Sequence, residues 1–178
     1  MSGKNEEYEH ISHCFKPVYD ENSKVLILGS FPSVKSRIQG FYYGHPQNRF
    51  WKVLPMIMGY DVDYLKHAEV RDKISFLLKN NIAVWDVIES CDIIGSSDSS
   101  IKNVIPADIE GIIKQTEITA IFTNGKLAGR LYDKYFGEKI KINHLTLPST
   151  SPANAAYNME KLTKIWSVVS QRIALKQD

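Results

Sequence analysis

Four short apolar runs, each cut off by a turn residue and interspersed with stretches of helical periodicity, constrain this chain more than any other feature. Lys24-Val-Leu-Ile-Leu28 stops at Gly29 and Ile82-Ala-Val-Trp85 stops at Asp86. Ile118-Thr-Ala-Ile-Phe122 runs out before Asn124-Gly125, and Ile140-Lys-Ile-Asn-His-Leu-Thr-Leu147 ends at Pro148. Successive side chains of a strand point to opposite faces, so an unbroken apolar run suits a strand covered on both sides. The last run alternates, which predicts an edge. Val70–Lys79, Asp108–Gln115 and Lys126–Tyr135 read as helices. Leu162, Ile165, Trp166, Val169 and Ile173 recur at helical spacing in a closing amphipathic helix. The alternation predicts an α/β fold, a three-layer α/β/α sandwich around a central, mostly parallel sheet of about four strands.

The chain has 178 residues, 43% of them hydrophobic and 24% charged, which excludes a disordered chain and is enough for one buried core. We expect a polar tail over residues 1–9 and a single domain over 10–178. No apolar run is long enough to span a bilayer, and the opening Met-Ser-Gly-Lys-Asn-Glu-Glu has no apolar segment behind a basic start. The expectation is a cytoplasmic monomer without a membrane partner. Cys14 and Cys91 are too few for a disulfide framework, a Cys-rich zinc site or a four-Cys cluster. The five histidines form no H-E-x-x-H, and His10 and His13, spaced for one helical face beside a charged tail, read as surface residues. No metal and no cofactor are expected.

The net charge of +2 conceals blocks. Residues 21–60 carry five basic groups, among them Lys35, Arg37, Arg49 and Lys52, against one acidic group. Residues 111–178 carry ten against five, including Lys126, Arg130, Lys161 and Lys164. If folding joins these blocks, one face attracts a polyanion; ordinary solvated lysines explain the charges equally well.

In sheets of this kind ligands lie beyond the carboxyl ends of the strands. The loops there are Gly29–Ser33 leading to Gly40–Asn48, then Asp86, then Asn124-Gly125, then Pro148–Asn154. Gly29 admits close backbone approach and Pro32 fixes the turn. Tyr42 and Tyr43 offer faces on which a base can stack, worth roughly 1–3 kcal/mol per base, though Tyr43 suits the core equally well. Asn48 stands before Arg49-Phe-Trp-Lys-Val-Leu, where it reads as a helix N-cap. Asp86 and Asp98 read as turn or cap residues, and His45 and His144 as structural histidines or proton donors.

Taken together, Gly-Ser-Phe-Pro-Ser after a strand, Gly40-Phe-Tyr-Tyr-Gly-His-Pro-Gln-Asn-Arg-Phe-Trp51, and the late Leu147-Pro-Ser-Thr-Ser-Pro-Ala-Asn154 resemble the uracil-DNA glycosylase superfamily. The nearest branch is the hypoxanthine-DNA (deoxyinosine) glycosylases, and the resemblance covers about residues 24–170. It implies an α/β/α enzyme that flips a damaged nucleotide out of double-stranded DNA and hydrolyses its N-glycosidic bond without metal or cofactor. It points to Asn48 as the residue that orients the attacking water, to the Gly29-Ser30-Phe31 backbone against the extruded base, and to Tyr43 as an aromatic beside it. Phe31 and Leu147 stand where other branches carry an asparagine and a hydrogen-bonding residue, so strong uracil activity is not implied.

The chemistry suits these residues. Cleavage develops positive charge on the sugar and negative charge on the base, so an oriented water and donors at the base are what is needed. His45 or His144 would donate to a purine ring. Ser149 and Ser151 are candidates to hold phosphates, Pro152-Ala153 to wedge the minor groove, and Lys126 and Arg130 to add backbone contacts. A plain connection with Asn154 as a cap is the other reading of this loop. Three further readings stand: a mismatch-specific uracil/thymine-DNA glycosylase, a non-catalytic nucleotide- or DNA-binding module, and a hydrolase using Ser30 or Ser149 with His144 and Asp86. No G-x-S-x-G elbow accompanies the last.

Overall fold

The four apolar runs form one sheet. A computed structural model describes residues 7–175. Along it run β1 (Glu9–Ser12), β2 (Val25–Gly29), α1 (Val34–Gln39), α2 (Phe50–Ile57), α3 (Val70–Lys79), β3 (Ile82–Asp86) and β4 (Ile88–Ile93). Then come β5 (Lys102–Pro106), α4 (Ile109–Ile113), β6 (Ala120–Asn124), α5 (Lys126–Phe136), β7 (Asn143–Leu147) and α6 (Met159–Ala174). β2, β3, β6 and β7 are parallel, in the order β3-β2-β6-β7, with β7 at the edge as its alternation predicts.

Alternate residues of β2 go to opposite cores. Val25 and Ile27 pack with Phe50 and Leu54 of α2, Leu77 of α3 and Trp166 of α6. Leu26 and Leu28 pack with Ile109 and Ile112 of α4 and Tyr132 and Phe136 of α5. Both faces are therefore covered, which is why the strand tolerates no polar residue, and the molecule is an α/β/α sandwich. Two strands start later than their apolar runs. Ile118 and Ile140 are buried, but in the irregular segments ahead of β6 and β7, where they join the core with α5; the Ile140 amide donates to the Phe136 carbonyl at the helix end.

A second, antiparallel sheet, β1-β4-β5, has no counterpart in the sequence expectations. β4 follows β3 after the single residue Val87, so the chain leaves the parallel sheet at Asp86 and enters the small one directly. The Val87 and Ile88 amides donate to the Gly29 and Ser30 carbonyls, which ties the end of β2 to this junction. The histidine reading is corrected here: residues 9–12 are strand, not helix, and although His10 is exposed, the His13 side chain is only 1% exposed. Residues 1–6 of the expected tail lie outside the described residues, and Glu9 is already in β1. Among the described residues no helix is long and apolar enough to cross a membrane.

Candidate active site

A cavity of about 540 Å³ opens at the carboxyl ends of β2, β3 and β6, roofed by the loop after β7. Gly29, Ser30, Phe31, Tyr43, His45, Asn48, Lys126, Ser149, Ser151 and Pro152 all line it. Arg130 and His144 are absent from the wall; Arg130 is exposed one helical turn beyond Lys126 on α5.

Asn48 is not the helix cap: α2 begins at Phe50 with Arg49 at the cap position and no side-chain cap bond. The Asn48 Oδ1 accepts from the Phe50 amide two residues on at 3.0 Å, an Asx turn that leads into α2, and the residue faces the cavity. Oδ1 accepts a second bond from the Thr150 hydroxyl at 2.8 Å. Thr150 is fully buried; its Oγ1 accepts from Asn124 Nδ2 at 2.9 Å, and its amide donates to Asn124 Oδ1 at 2.9 Å. Two donors on one amide oxygen leave no choice of flip, so the orientation of Asn48 is set by the ends of β6 and β7.

Arg49 belongs to the basic block but does not face outward. Its Nε donates to the Thr150 carbonyl at 3.3 Å, and its terminal nitrogens donate to the carbonyls of Ser151 (2.7 Å), Asn154 (3.1 Å) and Tyr157. One guanidinium thus pins the last loop to the first. Asn154 is not the helix cap; its Nδ2 donates to the Ser149 carbonyl, and the cap of α6 is Asn158, which accepts from the Lys161 amide. Arg37 likewise turns to carbonyls, those of Pro32 and Gly95. Nothing in the local sequence separates these arginines from solvated ones.

Asp86 is neither turn nor cap. It is buried at the end of β3, where its Oδ2 accepts from His13 Nε2 at 2.8 Å. Its other oxygen, Oδ1, lies against the Cα of Gly29, where any Cβ would overlap it, so Gly29 is required by this carboxylate. Tyr43 holds a left-handed backbone, φ 54°, with its ring stacked on Phe50 at 3.8 Å between centroids. Its hydroxyl is buried and makes no hydrogen bond of regular geometry, with the Asn124 side chain near enough to oppose the rise in its pKa. Burial, and then the Asp86 charge, pushes that hydroxyl far above its ordinary value, so it remains a donor. Tyr42 is core instead, its hydroxyl donating to the Lys16 carbonyl.

His45 Nδ1 accepts from the Gln47 amide at 3.1 Å, which leaves the neutral ring's proton on Nε2 as a free donor at the cavity. Ser149 and Ser151 hydroxyls accept from the Ser151 and Ala153 amides, so their own protons remain to be donated. Ser149 packs against Gly125, the start of α5, which has φ 99°, no side-chain cap and no acidic residue in its first turn. Lys126 opens that helix, where the dipole disfavours a cation unless an anion sits there.

The serine-hydrolase arrangement is overturned. His144 lies on β7, with Nε2 3.0 Å from Thr123 Oγ1 and Nδ1 3.2 Å from Asp133 Oδ1, while Asp86 pairs with His13. Thr123 is fully buried, out of reach of any substrate. Burial holds the His144 pKa below its ordinary value, with Asp133 opposing. Among the described residues no group of three or more His, Cys, Asp or Glu is placed to hold a metal ion.

Residues 16–170 match the family described as the uracil DNA glycosylase superfamily. The chain is 32% identical over 162 residues to hypoxanthine DNA glycosylase of Methanosarcina acetivorans, covering 89% of this chain and 98% of that one. It is 39% identical over 89 residues to hypoxanthine DNA glycosylase of Methanosarcina barkeri, covering 50% of this chain and 54% of the relative. A solution NMR structure from Methanosarcina acetivorans, of a protein provisionally described as a uracil DNA glycosylase, superposes with a TM-score of 0.76 at 31% identity. It covers 89% of this chain and 96% of that one.

Proposed function

The chain belongs to the uracil DNA glycosylase superfamily, and from that membership we propose that it excises hypoxanthine from deoxyinosine in double-stranded DNA, with Asn48 orienting the attacking water. It is a DNA glycosylase, a hydrolase of N-glycosyl bonds that acts on deaminated bases. Hypoxanthine is favoured because the two similar relatives are hypoxanthine DNA glycosylases, and because Phe31 and Leu147 cannot supply the polar groups that uracil-directed branches use. A monomer working in the cytoplasm suits a substrate of this kind.

The observation that carries the reading is the convergence of Asn48 and the Ser149–Ser151 loop on one cavity, joined by Arg49 and Thr150. In the proposed reaction the C1′–N9 bond breaks as water oxygen bonds to C1′, the base leaves with the electron pair, and the proton the water sheds passes through solvent to the departing base, which is released neutral. Oδ1 of Asn48 already accepts twice, so the water takes the place of the Thr150 proton. The Thr150 hydroxyl turns toward the water while Asn124 keeps its oxygen fixed. His45 Nε2–H donates to the departing purine. Gly29, Ser30, Phe31 and Tyr43 bound the base. Ser149, Ser151 and the uncapped start of α5 with Lys126 take phosphates, Arg130 extends that contact along α5, and the exposed Pro152-Ala153 tip enters the duplex.

The test is strand cleavage after alkali of duplexes holding deoxyinosine, deoxyuridine or no lesion, with wild type and Asn48→Ala, in EDTA. Cleavage at deoxyinosine reduced about a hundredfold or more in a variant that melts within about 2 kcal/mol of wild type is the expected result. An Asn48→Ala protein that melts lower but cuts at the wild-type rate would reduce Asn48 to a turn residue ahead of α2.

A further inference from the structure

The cavity has a second rim that the proposed hydrolysis does not use. Pro152-Ala153 and Lys126 stand on its β6–β7 side, whereas Val34 and Lys35 of α1 line it on the β2–β3 side. The strands that lead to the two rims, β2 and β7, have only β6 between them, about 10 Å in ladder spacings. On α1, Ile38 lies one helical turn beyond Val34 on the same face. Val34 is 37% exposed and Ile38 75%, the most exposed large hydrophobic side chain among the described residues.

A single exposed aliphatic on a loose segment needs no explanation, but α1 is braced from two sides. The Val34 amide donates to Ser96 Oγ at 2.8 Å, and Arg37 donates to the carbonyls of Pro32 at 2.9 Å and Gly95 at 3.2 Å. The buried Ser36 hydroxyl accepts from the Gly44 amide at 3.0 Å, and the Ser36 carbonyl accepts from the Phe41 amide at 3.2 Å. The loop after β4 and the Gly40–Asn48 loop therefore fix the helix and present Ile38 outward. A β-branched side chain also has little rotamer freedom to lose when it packs.

An aliphatic pair flanked by an exposed lysine, on the lip of a cavity that takes an extruded nucleotide, has the chemistry of a nucleic-acid contact. The cation suits a phosphate, and the aliphatic groups suit deoxyribose and base edges, the apolar parts of a duplex. Successive nucleotides of a strand lie about 3.4 Å apart along the axis, so a duplex gripped at the Ser149–Ala153 loop extends across the α1 rim as well. We propose that Ile38 is a second wedge, entering the duplex on the β2 side of the extruded nucleotide, with Val34 against the adjoining deoxyribose and Lys35 on its phosphate. Pro152-Ala153 and Ile38 then hold the stack open from both flanks, and the cost of extrusion is shared between two rims of one sheet. This inference rests on the chain acting on deaminated bases in DNA, and not on which of them it removes.

The probes are two duplexes that resist cleavage, one with 2′-fluoroarabino-deoxyinosine and one with 2′-fluoroarabino-deoxyuridine, each carrying 2-aminopurine on one flank of the lesion or the other. 2-Aminopurine brightens when a stacking neighbour is pulled away. Wild type is expected to brighten both flanks of the duplex it engages. Ile38→Ser, at a position exposed enough to leave the core unchanged, should lose the signal at one flank and keep it at the other. It should also bind that duplex at least about fivefold more weakly, while binding of lesion-free duplex, where no step is opened, changes by less than about twofold. Ile38→Leu should restore both readouts. Lys35→Ala should reduce the magnitude of the slope of log affinity against log salt by about one. Unchanged signals and affinities in Ile38→Ser would overturn the inference. So would an Ile38→Ser protein that elutes as a monomer where wild type elutes as a dimer, with unaltered DNA affinity, because the face would then pair two copies. If only the deoxyuridine duplex responds, and does so through Ile38, the hypoxanthine reading fails and the wedge stands.

Discussion

At the scale of single residues, Asn48 and Thr150 form one unit although 102 positions separate them. The Thr150 hydroxyl is both acceptor from Asn124 and donor to Asn48, so it fixes the plane of the Asn48 amide and is poised to pass its bond to a water. Thr150→Val keeps the shape and deletes both bonds. We expect it to cost about 1–3 kcal/mol in melting, because Asn124 Nδ2 is left unpaired in the interior. We expect kcat on deoxyinosine duplex to fall roughly tenfold with little change in KM, since orientation rather than DNA contact is lost. Thr150→Ser restores both bonds and should restore kcat; a Ser variant as slow as the Val variant would show that the methyl packing, not the hydroxyl, matters. Sequence made Asn48 legible because its loop is dense in unusual residues. It left Thr150, His13 and Asp86 illegible, because a buried pair 73 positions apart has no local spacing to announce it. His13, close to the charged start of the chain, looks like a surface residue until β1 and β4 place it inside.

At the scale of elements, the four strands of the parallel sheet were readable and those of the small antiparallel sheet were not. β2, β3 and β6 carry continuous apolar runs because helices cover them on both sides, and β7 alternates because most of it is left exposed. β4 reads Ile-Glu-Ser-Cys-Asp-Ile and β5 Lys-Asn-Val-Ile-Pro; their pairing is tertiary and their small core is only Ile88, Cys91 and Ile93 with a few flanking side chains. The late loop was legible as a functional segment, but not what holds it. Arg49 does, through carbonyls of Thr150, Ser151, Asn154 and Tyr157. Lys in its place has three donors on one atom and cannot span this fan of acceptors. Arg49→Lys is expected to lose about 2 kcal/mol or more in denaturant melting and to make the segment around residues 148–158 more readily cleaved by protease in the native state. Native-state cleavage no faster than wild type would mean that Trp166, whose Nε1 donates to the Pro148 carbonyl, and Asn154 hold the loop unaided.

At the scale of the whole molecule, fold class follows from alternation and double-sided burial, whereas the nucleic-acid face depends on which charges reach the surface. Formal charge alone put Arg37, Arg49, Lys35 and Lys52 in one basic block, and folding divides it: the two arginines spend their donors on carbonyls, while Lys35 stays exposed at the cavity rim. The second block keeps Lys126 and Arg130 exposed on one face of α5, one turn apart, with Gly125, just before Lys126, against Ser149. On the proposed reading, a near-neutral protein meets DNA through a few placed cations rather than a broad field. Each phosphate neutralised contributes about 0.9 to the slope of log affinity against log salt. Lys126→Ala should weaken binding to lesion and lesion-free duplexes by a similar factor and reduce the magnitude of that slope by about one, measured by titration between low and moderate salt. A Lys126→Ala slope equal to wild type would place the phosphate elsewhere, and the uncapped start of α5 would then be only the beginning of a helix.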